Sequence, residues 1–134
     1  MGVIRDLSEE ELELFNDLIG KPFEEVGKCI GLVREVYRRR GIEIPDFNYT
    51  SIEDEHLVIE NEKDNLTEKI DVPEPYCIVT FRTVGPYVTH MGVVLEDCKT
   101  FIHAARNKNV CIQKLNHPFW GQRIKEFRRW KTCK

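Results

Sequence analysis

Cys29, His90 and His103 are the residues of this 134-residue chain whose types and spacing could do covalent chemistry. A thiol next to an imidazole that a second polar group orients supplies the nucleophile, base and orienter that acyl transfer needs. Cys29 opens the run Cys29-Ile30-Gly31-Leu32-Val33-Arg34-Glu35-Val36-Tyr37. There Cys29, Leu32, Val33, Val36 and Tyr37 follow the spacing of one helix face, while Arg34, Glu35, Arg38 and Arg39 fall on the other. The pattern predicts a helix that starts at the cysteine, turns the thiol inward and stops at Gly41. Exposed N–H groups and the partial positive charge at a helix start favour a thiolate and can donate to an anion formed beside it. The competing reading is packing, because cysteine is among the most buried residue types.

The histidines lie where the period changes to that of strands. Cys77–Arg82 reads as a buried strand, 84–87 as a turn, His90–Leu95 as the next strand, and Glu96–Lys99 as a tight turn. Thr100–Ala104 pairs back, 107–109 turns again, and Val110–Leu115 makes another strand. Short connections predict an antiparallel meander. A register centred between Glu96 and Asp97 pairs His90 directly with His103, with Cβ atoms about 4.5–5.5 Å apart.

The elements that position the cysteine come first in the chain. Ser8 with Glu11 is a capping box, and Leu12, Phe15, Leu18 and Ile19 share a face, so a helix is expected from about Ser8 to Ile19. Gly20 stops it, and residues 21–27 form a loop to the cysteine helix. Between Ser51 and Asp71 eight carboxylates face two lysines. That segment reads as one or two solvated surface helices, closed by Pro73-Glu74-Pro75 leading in extended form to the sheet. The aromatic, arginine-rich end, Phe119 to Trp130, fits a helix or a strand by its pattern, and a final strand is the expectation.

Composition narrows the function. With 41% hydrophobic and 32% charged residues and a net charge of -3, the chain is an ordinary globular domain without the basic footprint of a nucleic-acid binder. No stretch has the length of a membrane span, and the first residues lack the apolar core of a signal peptide, so the expectation is a cytoplasmic protein, unless it leaves within a particle. The five cysteines include no Cys-x-x-Cys pair. Cys98 and Cys111 could face each other across strands, but reduced thiols are the default without a secretion signal. Cys29, His90 and His103 would also suit zinc, yet none sits in a local metal motif. His56 and His117 read as surface residues, Trp120 and Trp130 as packing, and Cys77, Cys98, Cys111 and Cys133 as structural thiols.

The stretches Leu18-Ile-Gly-Lys-Pro-Phe, Cys29-Ile-Gly-Leu-Val-Arg-Glu-Val-Tyr, Thr89-His-Met-Gly-Val-Val-Leu and Phe101-Ile-His-Ala resemble the motifs of the NlpC family of papain-like cysteine peptidases. The resemblance spans about residues 17 to 130. It implies one α+β domain over residues 1–134, with the nucleophile helix packed on a mainly antiparallel sheet. It makes Cys29 the nucleophile, His90 the base and His103 the orienting residue, with no cofactor and no metal. The implied substrate is the stem peptide of peptidoglycan, commonly cut after D-glutamate. The acidic middle and the arginine-rich end are most similar to the branch found in tails of long-tailed bacteriophages, which implies other tail proteins as partners. The chain departs from the pattern at several positions: Lys28 stands for the usual aspartate, Ile30 for the serine, Tyr76-Cys77 for the Gly-Asp that opens the first strand, and Phe23 for a tyrosine whose hydroxyl can serve the oxyanion. Phe23 and Lys28 are thus the expected oxyanion and substrate neighbourhood, and a structural tail-tip protein on the same fold is the alternative function.

Overall fold

A computed structural model describes residues 9–26, 28–42, 67–82, 90–105 and 108–130, with residues 28–30 defined through their backbone alone. Helix α1 spans Glu9–Phe15 and helix α2 Lys28–Arg39. Strands β1 (Thr67–Ile70), β2 (Ile78–Phe81), β3 (His90–Val94), β4 (Thr100–Ala104), β5 (Val110–Lys114) and β6 (Ile124–Trp130) follow. They form one antiparallel sheet of order β1-β6-β2-β3-β4-β5, so the fold is α+β. None of the described helices is long and apolar enough to cross a membrane. The Ser8 cap, the acidic residues 51–66 and the 84–87 turn lie outside the described residues.

Helix α2 ends as its sequence requires. Gly41 takes φ +75°, its N–H donates to Arg38 O at 3.0 Å, and Ile42 N–H donates to Tyr37 O at 2.8 Å. This is the left-handed C-terminal cap for which glycine carries no Cβ penalty. Helix α1 is shorter than its apolar spacing suggests. After Phe15 the chain tightens into turns, with Leu18 N–H on Phe15 O at 2.9 Å, and delivers Gly20 and Lys21 to bonds with Val110 at 2.8 Å each. These bonds to β5 redirect the chain. Ile19 consequently stays exposed, and Glu11 is buried in the position the stripe assigns to an apolar residue.

Residues 67–70 form an edge strand and not part of a surface helix, because β6 offers them a ladder and buried Arg128 donates to Thr67 Oγ1 at 2.6 Å. The final strand forms as expected, and β6 inserts between β1 and β2. The 115–123 connection must therefore cross β4, β3 and β2 to reach it. Strands β2, β3 and β4 are buried at every position, which requires cover on both faces. One face, with Ile78, Met91, Val93, Ile102 and Ala104, packs on Leu32, Val33 and Val36 of α2 and on Phe15, Leu18 and Phe23. The opposite face, with Val79, Phe81, Val94 and Phe101, is continued sideways by Ile124 and Phe127 of β6 and packs against Leu115 and Trp120 of the 115–123 connection.

The helices are fastened to the sheet at Tyr76. The Glu74–Tyr76 stretch is a turn, not an extended lead-in: Cys77 N–H donates to Glu74 O at 3.1 Å, with Pro75 and then Tyr76 at the corners. Tyr76 has φ +62°, a conformation that costs a non-glycine residue about 1–2 kcal/mol. Its contacts hold it there. Tyr76 N–H donates to Val94 O at 2.8 Å, its carbonyl accepts from the Tyr37 hydroxyl at 2.5 Å, and its own hydroxyl donates to the Glu11 carboxylate. Glu96 N–H donates to the same carboxylate at 3.0 Å.

Burial holds the Glu11 carboxyl above its ordinary 4.5, against the lowering effect of those two hydrogen bonds. A carboxyl with a raised folded-state pKa keeps its proton longer in the folded than in the unfolded chain, so folding weakens as pH rises past 4.5. In Glu11→Gln this decline should disappear, leaving the variant more stable relative to wild type at neutral pH than in acid. Urea unfolding of both proteins across that range measures the difference, and parallel pH profiles would contradict it.

Candidate active site

The turn before β4 decides how the two histidines meet. Asp97 accepts from Lys99 N–H at 2.9 Å and Thr100 N–H at 3.0 Å, and Cys98 adopts φ +58°. Leu95 and Thr100 therefore close the hairpin around the Glu96–Lys99 turn, and Val93 pairs with Ile102, one residue from the register centred between Glu96 and Asp97. His103 falls opposite Gly92, and His90 lies diagonal to it on the same face. Diagonal neighbours are about 7–8 Å apart, within reach of two rings. Gly92 permits the approach: a Cβ there would stand 2.8 Å from Ile102 O and 3.0 Å from His103 Cβ. His90 Nε2 and His103 Nδ1 come to 2.8 Å, both rings buried.

This face is the one turned away from α2, and the return segment closes it. His90 lies between Phe81 and Trp120, with ring centroids at 5.4 and 5.0 Å, and Trp120 meets His103 edge-on at 4.9 Å. His117, read from sequence as a surface residue, holds the turn that carries this tryptophan: its Nδ1 accepts from Phe119 N–H at 3.1 Å and Trp120 N–H at 3.3 Å. On β5, Gln113 Oε1 is 2.7 Å from His103 Nε2, and Cys111 Sγ is 3.6 Å from the same nitrogen. Burial pushes His103 down to about 4, outweighing the Gln113 bond, so its ring is neutral near pH 7. Burial likewise raises the Cys111 thiol, which keeps it protonated. A cleft of about 290 Å³ opens beside these groups, lined by His103, Cys111, Gln113, Phe119 and Trp120 among others. Cys77, Cys98 and Cys111 are free thiols.

The start of α2 lies at the same end of the sheet. Phe23 N–H donates to Lys108 O at 3.1 Å, and Pro22 bridges Asn109, next to the end of β4 and the beginning of β5. The last turn of α2 is tied through Tyr37 and Tyr76 to Val94, at the opposite end of β3. Helix α2 therefore runs from the His90 end of the sheet towards the Val94 end, and a group at its first turn can approach His90 only around the strand's beginning. The side chains of Lys28 and Cys29 lie outside the described residues. Phe23 is enclosed in the core with Leu18, Leu32 and Val110.

The sequence pattern of the NlpC/P60 family matches residues 20–129, a span that takes in both helix α2 and the histidine pair. The chain belongs to the NlpC/P60 family. It is similar in fold to an NLP/P60-family protein of Staphylococcus aureus described as similar to lipoprotein, at 22% identity and a TM-score of 0.56 over 92% of this chain. It is similar also to an NlpC/P60 family protein of Bacillus cereus, at 21% identity and a TM-score of 0.62 over 90% of this chain. The match takes in 42% and 40% of those two chains, so this chain spans about two-fifths of their length. No curated protein matches it in sequence.

Within this NlpC/P60 domain, no signal in the sequence singled out Gln113, and Trp120 packs as expected. Alternation does put Phe101 and His103 of β4 on one face with Cys111 and Gln113 of β5, once the pairing of Ala104 with Val110 is known. Trp120 does pack, but on the imidazoles. Two outcomes follow. Gly92→Ala should lower stability by about 1–3 kcal/mol through overpacking, because the backbone carbonyl at 2.8 Å cannot move aside as a side chain would; denaturant midpoints measure this, and an unchanged midpoint would show that β3 and β4 separate freely.

The second outcome concerns acid. A histidine held near 4 when folded and at 6.5 when unfolded binds its proton more weakly in the folded state, so the stability present above 6.5 is lost as pH falls towards 4. That loss should be of order 3 kcal/mol and should be much smaller in His103→Gln, as read from the pH dependence of urea unfolding.

Proposed function

We propose that this chain is a cysteine peptidase of the bacterial cell wall, in which Cys29 is the nucleophile, His90 the general base and His103 the group that orients it. The observation that carries the reading is the 2.8 Å contact between His90 and His103, at the end of the sheet where α2 begins. Because that contact occupies Nε2 of His90, the nitrogen for taking a thiol proton is Nδ1. The Cys29 sulfur would attack the carbonyl carbon of an amide while its proton passes to His90. The negative charge formed on the carbonyl oxygen would be met by N–H groups at the first turn of α2. His90 would then protonate the departing amine, leaving a thioester. Water, deprotonated by His90, would cleave the thioester to acid and free thiol. Each step balances with protein groups and water. His103, neutral and hydrogen-bonded, would hold the ring and stabilise its cationic form.

The substrate we assign is a peptidoglycan stem peptide, cut next to D-glutamate, and the setting a phage or prophage tail. The family assignment supports the first; the acidic middle and arginine-rich end support the second. The cleft beside His103 offers room for a peptide portion. A second reading, a tail-tip structural protein with little activity, is favoured by Phe23, an enclosed apolar ring where the resemblance expects a tyrosine hydroxyl. Stem-peptide turnover by purified protein separates the two. We expect slow hydrolysis that Cys29→Ala abolishes, with Cys29 the first of the five thiols to be alkylated by iodoacetamide and more slowly so in His90→Ala. Absence of turnover on intact sacculi and on stem peptides, with another thiol labelled first, would leave the structural reading.

A further inference from the structure

We propose that Gln113 is a positioning residue that sets the tautomer of both imidazoles, and through them decides which nitrogen of His90 carries the lone pair. The inference rests on the reading of His90 as the base. A glutamine carbonyl oxygen can only accept, so the 2.7 Å contact of Gln113 Oε1 with His103 Nε2 puts a proton on that nitrogen. A neutral imidazole with Nε2 protonated has its lone pair on Nδ1. His103 Nδ1 must then accept across its 2.8 Å contact, and the donor is His90 Nε2–H. The remaining lone pair of a neutral His90 is on Nδ1, the atom the proposed chemistry uses. Each step depends on the one before it: reverse the proton on His103 and the same contact requires His90 to present Nε2 as acceptor and Nδ1 as a spent donor.

The surroundings favour this direction of the chain. His103 is 1% exposed and its ring neutral near pH 7, so it cannot donate from both nitrogens. Cys111 Sγ, at 3.6 Å, is a weak acceptor beside Nε2 and a poor substitute for the amide oxygen. Phe81 and Trp120 hold the His90 ring from both sides, so the tautomer is not easily changed by turning the ring. Gln113 thus stands two hydrogen bonds from the reacting nitrogen and acts on it through His103.

The test is nitrogen NMR of the whole protein labelled at histidine, with signals assigned by single His→Gln variants, together with kcat and KM on a stem peptide. In wild type, both His90 and His103 should show a protonated Nε2 and an unprotonated Nδ1. Gln113→Leu should give mixed or reversed tautomers at both rings, with kcat about tenfold lower and KM little changed. Gln113→Glu, which keeps an acceptor oxygen at the same place, should restore the wild-type tautomers and keep the His103 imidazolium to higher pH. A protonated Nδ1 on either ring in wild type, or wild-type tautomers in Gln113→Leu, would overturn the proposal. Should Gln113→Leu fail to fold, the wild-type and Gln113→Glu spectra decide it. Should no variant turn over substrate, the peptidase reading falls, while the tautomer signals still confirm or refute the role of Gln113.

Discussion

The arrangement of the site depends on the joint at Tyr76. One residue in a left-handed conformation receives the Tyr37 hydroxyl from α2, reaches Glu11 of α1 with its own hydroxyl, and bonds through its backbone to Val94 at the end of β3. The conformational cost is local, while the contacts that offset it join three elements far apart in sequence. Because α2 is tied to the sheet by its last turn, its first turn is carried to the opposite end of β3. That is the end where His90 opens the strand and His103 nearly closes the next. Helix position and histidine position are consequences of the same fastening.

The histidines gain their environment from the sheet's second face. An antiparallel sheet with helices on one side can leave its other side in water. Here the insertion of β6 between β1 and β2 forces the 115–123 segment back across that side, and the segment brings Trp120 onto both rings. Aromatic contacts of this kind contribute about 0.5–1.5 kcal/mol each beyond their burial. Several of them converge on Phe81, His90 and His103. The result is a pair of imidazoles fixed in orientation and largely removed from water, with hydrogen bonds to each other and to one amide. Such a setting keeps His103 neutral near pH 7.

The arginines of the last strand are likewise part of the frame. Arg128 is buried against Thr67 and pairs with Glu126 at 2.6 Å; Arg129 reaches Glu68 and Glu74; Arg123 lies 3.8 Å over the ring of Phe119 and donates to its carbonyl. The exposed Arg129 pairs contribute little individually in water. Arg128 matters more, because a buried guanidinium left without its partners is costly. The arginine-rich end is therefore the fastening of an edge strand and of the segment that covers the histidines.

Patterns that depend on near neighbours were legible in the sequence. The stripe Leu32, Val33, Val36 and Tyr37 gave α2, Gly41 gave its end, and alternation with short turns gave β2 to β5 and the shared face of His90 and His103. The family was legible from short motifs. Quantities that depend on a distant partner were not. The register of β3 on β4 turned on the left-handed Cys98 and the Asp97 side chain, which moved the hairpin centre by one residue. Thr67–Ile70 has no strand period of its own and became a strand because β6 had an open edge; α1 stopped early because Val110 took Gly20 and Lys21. Glu11, polar and part of a capping pattern, was buried because Tyr76 and Glu96 supply donors there. Gln113 and Trp120 entered the site only through strand order and the path of the return segment. Local sequence fixes which way side chains alternate, since that follows from bond geometry; which of them meet across the sheet is decided by the lowest free energy of the whole assembly.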